Sequence, residues 1–120
     1  MGAPFGMPVA ASSGNVANAA AVATMPAVKN RVNYLTSVNF TASGATAANK
    51  VVATITGVIG GPLSFVFTVP VGATVAAGPL LLSFESPLCA TGPDTAIVVT
   101  LPALGAGSTN AATTIAGYLV

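Results

Sequence analysis

The stretch KVVATITGVIGGPLSFVFTVPVGATVAAGPLLLSFE, residues 50 to 85, constrains the fold more than any other part of the chain. No charged residue lies between the Lys and the Glu that bound it. A membrane-spanning helix needs about 20 predominantly apolar residues, but Pro62, Pro70 and Pro79 would break a helix here repeatedly. The stretch therefore predicts β-strands separated by Gly and Pro turns, and no membrane partner.

Alternation of apolar residues predicts three strands in this stretch, each with one face turned into a core. The residues predicted to face inward are Val51, Ala53, Ile55 and Ile59 in the first strand, Leu63, Phe65, Phe67 and Val69 in the second, and Leu80, Leu82 and Phe84 in the third. The residues predicted to face outward are Val52, Thr54, Thr56, Val58, Ser64, Val66, Thr68, Leu81, Ser83 and Glu85. The outward faces are thus largely uncharged.

The same alternation predicts further strands on both sides of this stretch. Their inward residues are Val32, Tyr34, Val38 and Phe40 within residues 32 to 41, and Ile97, Val99 and Leu101 within residues 95 to 102. A last strand is predicted near residues 111 to 119, an Ala-rich strand or a flexible linker within residues 14 to 28, and a possible short helix at residues 46 to 50. This pattern predicts a single all-β domain, an antiparallel β-sandwich or jelly roll.

The amino-terminal stretch MGAPFGMPVAASSGN predicts an extended N-terminal arm, residues 1 to 15, ahead of a β-sandwich domain, residues 16 to 120. Its two prolines favour an extended chain. Its larger apolar residues, Phe5, Met7 and Val9, have no core of their own in the strand pattern. We therefore expect the arm to bind a neighbouring subunit.

Charge is scarce along the whole chain, with three Lys or Arg and two Asp or Glu among 120 residues. Soluble domains carry charge at roughly a quarter of their positions, and a net charge of +1 is too weak a field to attract nucleic acid. Surfaces this neutral tend to associate, so we predict a homo-oligomer; the alternative is a monomer kept soluble by its Thr hydroxyls. The predicted interface residues are Phe5, Met7, Val9, Lys29, Arg31 and Tyr118.

Catalysis finds little support in the residue types present. The chain has no His, which excludes Ser-His-Asp and Cys-His mechanisms within one chain. Its two carboxylates, Glu85 and Asp94, are more simply interpreted as solvated surface charges than as an acid–base pair. One Cys and two acids do not supply the ligands of a zinc or calcium site. We predict no enzymatic activity, cofactor, metal or small-molecule substrate, and interpret Cys89 as a small buried hydrophobe, with an intersubunit disulfide as the alternative.

Four stretches resemble small virion structural proteins of tailed bacteriophages that decorate or cement the capsid. They are GNVANAAAVATMPAV, NYLTSVNFTASGATAANKVVATITG, FTVPVGAT and TAIVVTLPALGAGSTNAA, which together span most of the chain from Gly14 to Ala112. The resemblance implies a β-sandwich on the outside of an icosahedral head, often a homotrimer, with the major capsid protein as its partner. Its role would be to bridge capsomers and resist the pressure of the packaged DNA.

Two other classes of function remain open beside capsid decoration. One is another phage structural subunit, of a tail or a fibre tip, and the other is a bacterial surface or extracellular-matrix subunit. A fibre usually has repeats or a long coiled coil, which the sequence lacks. Residues 1 to 28 lack the basic segment of a signal peptide, so we expect synthesis in the host cytoplasm and a place on the capsid surface of the virion.

Overall fold

The computed structural model describes residues 7–45, 49–72, 78–104 and 110–120, with Asn49 as backbone only. The secondary structure within these ranges is all β, as the sequence predicts. The strands are β1 (Met7–Ser12), β2 (Ala21–Met25), β3 (Asn33–Ser43), β4 (Asn49–Thr56), β5 (Leu63–Val69), β6 (Leu80–Cys89), β7 (Ile97–Leu101) and β8 (Asn110–Leu119). The sequence pattern allows a short helix at residues 46 to 50. Residues 46 to 48 lie outside the described residues, and residues 49 and 50 begin β4.

The strands form two antiparallel sheets of four strands each. The first sheet has the order β1-β8-β3-β6, and the second has the order β2-β7-β4-β5. The connectivity is that of a nested hairpin, because β1 pairs with β8, β2 with β7, β3 with β6 and β4 with β5. The pairing of β3 with β8 and of β4 with β7 then joins these pairs into sheets.

The core lies between the two sheets in a sandwich-like arrangement. Phe40 from the first sheet and Phe67 from the second are both buried, with ring centroids 6.4 Å apart and planes inclined by 51°. All the residues predicted to face inward on β5, β6 and β7 are buried in this core or packed against it. Alternation of period two is a local property of a strand, which explains why these faces could be read from the sequence.

The inward face predicted for residues 51 to 59 is right within β4 and wrong beyond Gly57. This glycine has a φ of +91°, and a Cβ at that position would overlap the carbonyl oxygen of Ala96. The positive φ ends the strand and interrupts its alternation. Val58 is therefore buried, while Ile59 is 66% exposed.

The inward face predicted for β3 is right in the second half of the strand and wrong at Tyr34. A bulge between Leu35 and Ser37 shifts the register of β3 against both β6 and β8. Before the bulge, Asn33 and Leu35 are buried and Tyr34 turns outward. Gly117 lies opposite Leu35 on β8, and a Cβ there would overlap the carbonyl oxygen of Tyr34. Glycine thus allows the two strands to approach closely at the bulge.

Two buried polar side chains add hydrogen bonds between elements that are distant in the sequence. The Asn33 amide nitrogen, Nδ2, donates hydrogen bonds of 3.0 Å to the carbonyl oxygens of Pro26 and Thr95. The Asn33 Oδ1 atom is buried without a hydrogen-bond partner within the described ranges. The hydroxyl of Thr113 on β8 donates to the carbonyl oxygen of Ala21 at 3.1 Å, which connects the first sheet to the second.

The predicted N-terminal arm differs from the structure where it enters the sheet. Residues 7 to 12 form β1, which pairs along its whole length with β8. Val9 is half-buried against the core of its own chain, whereas Met7 is 57% exposed. Phe5 lies outside the described residues, so binding of a neighbour by the arm stays a prediction. The Ala-rich segment does form a strand, β2, as one of its two interpretations required.

Candidate functional site

The outer face of the second sheet consists almost entirely of Val, Thr and Ser. We call it the Val/Thr face, and its residues are Val22, Thr24, Lys50, Val52, Thr54, Thr56, Ser64, Val66, Thr68, Val98 and Thr100. Val52 and Val66 lie side by side on β4 and β5 and are 48% and 62% exposed. Lys50 is the one charged residue of this face. The expected neutral outward face is therefore present, with its apolar side chains next to one another.

The outer face of the first sheet carries a row of larger side chains at one end. We call it the tyrosine row: Pro8, Tyr118, Tyr34 and Cys89 lie opposite one another on β1, β8, β3 and β6. The two tyrosine rings are stacked, with centroids 5.0 Å apart and planes inclined by 12°. Such a cross-strand aromatic pair contributes about 0.5 to 1.5 kcal/mol beyond its buried area. The stacked rings therefore link β8 and β3, the two central strands of this sheet.

Cys89 is half-buried on this outer face, so its interpretation as a buried hydrophobe is wrong. It lies outward because its partner across the ladder, Tyr34, is turned outward by the bulge. The Cys89 thiol donates to the carbonyl oxygen of Ala90 at 3.2 Å. A side-chain hydrogen bond with Cys89 is the main cause that raises the pKa of Tyr34, followed by the charge on Cys89, burial, and the charge on Tyr118.

Removing the Cys89 side chain is expected to bring the pKa of Tyr34 back toward its ordinary value. The chain has two tyrosines, so a Tyr118→Phe background leaves Tyr34 as the one phenol in an absorbance titration. In this background, Cys89→Ala should lower the midpoint of phenolate formation. Because the folded-state pKa is raised, the stability that this contact contributes is present below about pH 10 and is lost as the pH rises through the raised pKa. An unchanged midpoint would contradict the contact.

Both cationic residues of the predicted interface lie in the connection between β2 and β3. The amide of Arg31 donates to the carbonyl oxygen of Val28 at 3.1 Å, around a turn in which Asn30 has a φ of +63°. The amide of Asp94 donates in turn to the carbonyl oxygen of Arg31 at 3.1 Å. Two exposed turns with charges of opposite sign therefore lie next to each other, with Lys29 in the first of them.

The structure brings most of the predicted interface residues to one end of the molecule. Val32, directly after the cationic turn, exchanges two backbone hydrogen bonds of 3.0 Å with Val120, the residue that follows β8. Tyr118 lies on the same end of β8, beside the beginning of β1 with Met7. We call this surface the β8 end. Val9 departs from the set because it packs inward. The sequence had no signal for Tyr34 and Cys89, since their outward placement depends on the bulge.

A shallow open pocket of about 330 Å³ lies at the opposite end of β8. It is lined by Asn15, Thr41, Ala42, Ser43, Pro79, Asn110, Ala111 and Ala112. The amide of Asn15 donates to Oδ1 of Asn110 at 2.8 Å. None of the described lining residues is an acid or a base, so none of them would transfer a proton.

The described residues contain neither a cluster of metal-ligating side chains nor a helix that could cross a membrane. No group of three or more His, Cys, Asp or Glu is placed there to hold a metal ion. The described residues also contain no helix of the length and apolarity that crossing a bilayer requires.

Comparison of the chain with protein-family models, with curated proteins and with solved structures gives no match.

Proposed function

We propose that this protein is a non-enzymatic virion structural subunit that binds the outer surface of a viral capsid and stabilises it by bridging capsid subunits. The observation that carries the proposal is the strand connectivity, taken together with the resemblance of the sequence to capsid decoration proteins. The subunit would be made in the host cytoplasm and incorporated at the capsid surface. Its partners would be further copies of itself and the major capsid protein.

We propose further that the fold is a jelly roll. A jelly roll arises when one long hairpin of four strand pairs bends over into two sheets of four strands. The pairing of first strand with last, second with seventh, third with sixth and fourth with fifth supports this assignment. Viral capsid proteins are among the proteins built on this connectivity, although a fold alone does not identify a function.

The low charge of the chain suits a protein that is arrayed in many copies. Subunits packed side by side on a capsid bring identical surfaces close together, so a large net charge would make neighbouring copies repel one another. A net charge of +1 and the nearly uncharged Val/Thr face avoid that repulsion. An uncharged face also suits a permanent contact, because charged residues are depleted at the cores of interfaces. In the homotrimer implied by the resemblance, identical subunits would also lie side by side, and the low net charge would limit the repulsion between them.

We propose the β8 end as the surface that meets the capsid. It combines an exposed Met7, the stacked Tyr118 and the cationic turn with Lys29 and Arg31. Aromatic, Met and Arg side chains are enriched in protein interfaces, and two cations favour an acidic surface on the partner. Phe5, which lies outside the described residues, stays a predicted interface residue.

The proposal is tested by measuring how many copies of the chain a purified virus particle contains. Quantitative mass spectrometry of intact particles should give a copy number comparable with that of the major capsid protein, because cement proteins cover the capsid lattice. Separated heads and tails provide the control, and the chain should be found with the heads. A few copies confined to the tail would replace the proposal with a tail or fibre-tip subunit. Absence from particles would overturn it.

A further inference from the structure

The four edge strands of the two sheets differ in how well they are protected against pairing with another chain. An edge strand exposes unpaired backbone N–H and C=O groups, which proline, charge, bulges or short length usually protect. The edges here are β1 and β6 of the first sheet, and β2 and β5 of the second. Pro8 lies in β1, Glu85 and Pro87 lie in β6 together with a register shift, and β2 has only five residues.

Strand β5 has none of these protective features. Its seven residues read LSFVFTV, without charge or proline. Its register against β4 runs without a bulge from Leu63 to Val69. Within the described ranges no further strand pairs with the outer side of β5. This side is therefore a regular, uncharged strand edge whose alternate backbone groups can pair with another strand.

The side chains of β5 are also left partly uncovered on both faces of the sheet. Leu63 and Phe65 point toward the core but are only half-buried, whereas Phe67 further along the strand is buried. On the outer face, Val66 is 62% exposed. A strand added beside β5 would cover apolar area on both faces at once.

The sequence of β5 is complementary to itself in an antiparallel register. A two-fold axis through Val66 places Val66 opposite Val66 and Ser64 opposite Thr68 on the outer face, and Phe65 opposite Phe67 on the inner face. Aromatic and β-branched residues form favourable cross-strand pairs. No charge lies on the strand, so the same residues meet across the axis without repulsion.

We propose that β5 pairs with β5 of a second copy of this chain, and that this contact forms a two-fold dimer with a continuous eight-stranded sheet. The row formed by Val52 and Val66 then runs across the dimer on the Val/Thr face. The contact is isologous, because the same surface serves both partners. The β5–β5 contact needs only two copies of this chain, so it can form in the absence of a capsid. It is separate from any contact that would arrange three copies around a three-fold axis.

A charge-swap experiment at Val66 tests the proposal. The exposed Val66 position accepts Lys or Glu in a folded monomer, but across the axis it would place like charges opposite each other. Val66→Lys and Val66→Glu should each raise the dissociation constant of the dimer about tenfold or more, measured by sedimentation at up to about 100 µM. An equimolar mixture of the two variants should restore the dimer, because Lys then faces Glu.

Val22→Lys is the matched control, because Val22 lies on the same face of the same sheet but on the opposite edge strand. It should leave the dimer intact. The double variant Ser64→Lys/Thr68→Lys, at two other exposed positions of β5 that face each other across the axis, also places like charges opposite each other. It gives a second test if Val66→Lys does not fold, and it should weaken the dimer too. The proposal is overturned if the unmodified chain is monomeric at these concentrations, if the mixture stays monomeric, or if Val22→Lys dissociates the dimer equally. Each of these results is independent of the copy number on particles, so failure here is distinguishable from failure of the proposed function.

Discussion

Replacing Phe40 by Ala is expected to lower the free energy of unfolding by about 3 to 5 kcal/mol. Phe40 is fully buried and lies against Phe67 of the opposite sheet, at a centroid distance of 6.4 Å. Truncation would remove one of the largest apolar contacts between the sheets and leave a cavity that the two rigid ladders cannot close. Equilibrium unfolding in denaturant measures the change.

The matched control for this prediction is Val66→Ala, on the outer face of the second sheet. Val66 is 62% exposed, so its truncation should change the free energy of unfolding by only about 0.5 kcal/mol, measured on the monomer. Phe65→Ala should fall between the two, because Phe65 faces the core but is half-buried at the sheet edge. If Val66→Ala cost as much as Phe40→Ala, the assignment of inner and outer faces would be wrong.

Asn33→Asp is expected to destabilise the protein by about 3 kcal/mol or more at neutral pH. The Asn33 amide nitrogen donates to two carbonyl oxygens, those of Pro26 and Thr95. A carboxylate oxygen in its place would donate to neither and would repel both. The side chain is 1% exposed, so water cannot compensate for the lost bonds. Thermal or denaturant unfolding measures the loss.

Asn39→Asp provides the control, because Asn39 lies on the same strand but is exposed. This substitution should leave the free energy of unfolding nearly unchanged.

The loss of stability caused by Asn33→Asp should also depend on pH. Burial and the facing carbonyls raise the pKa of the introduced carboxyl in the folded state. The charge-dependent part of the penalty is therefore absent below the unfolded pKa of about 4 and grows as the pH rises above that value, whereas the loss of one of the two donated hydrogen bonds persists at low pH. A loss that is equal at acidic and neutral pH would contradict this account of Asn33.

The surfaces of the molecule could be predicted from the sequence only in part. The uncharged outer face around Thr54 and Val66 follows directly from alternation in two neighbouring strands. Tyr118 was predicted at an interface, but its stacking partner was placed in the core. Tyr34 turns outward because of the bulge after Leu35, and no local signal in the sequence marks that bulge. Cys89 was misplaced for the same reason, since it lies opposite Tyr34 on the neighbouring strand.

The chain sequence by itself determined the all-β class, the inward residues of β5, β6 and β7, and the scarcity of charge on the outward faces. These are local properties, because alternation of period two and the breaking of strands by Gly and Pro act within a few residues. Tertiary structure alone decided which strands pair, where the register shifts and which strands are left as edges. Strand pairing brings together residues as distant in the sequence as Met7 and Leu119. It depends on which of several alternative strands forms backbone hydrogen bonds with each strand. The unprotected edge of β5, on which the proposed dimer rests, is therefore a property of the folded chain.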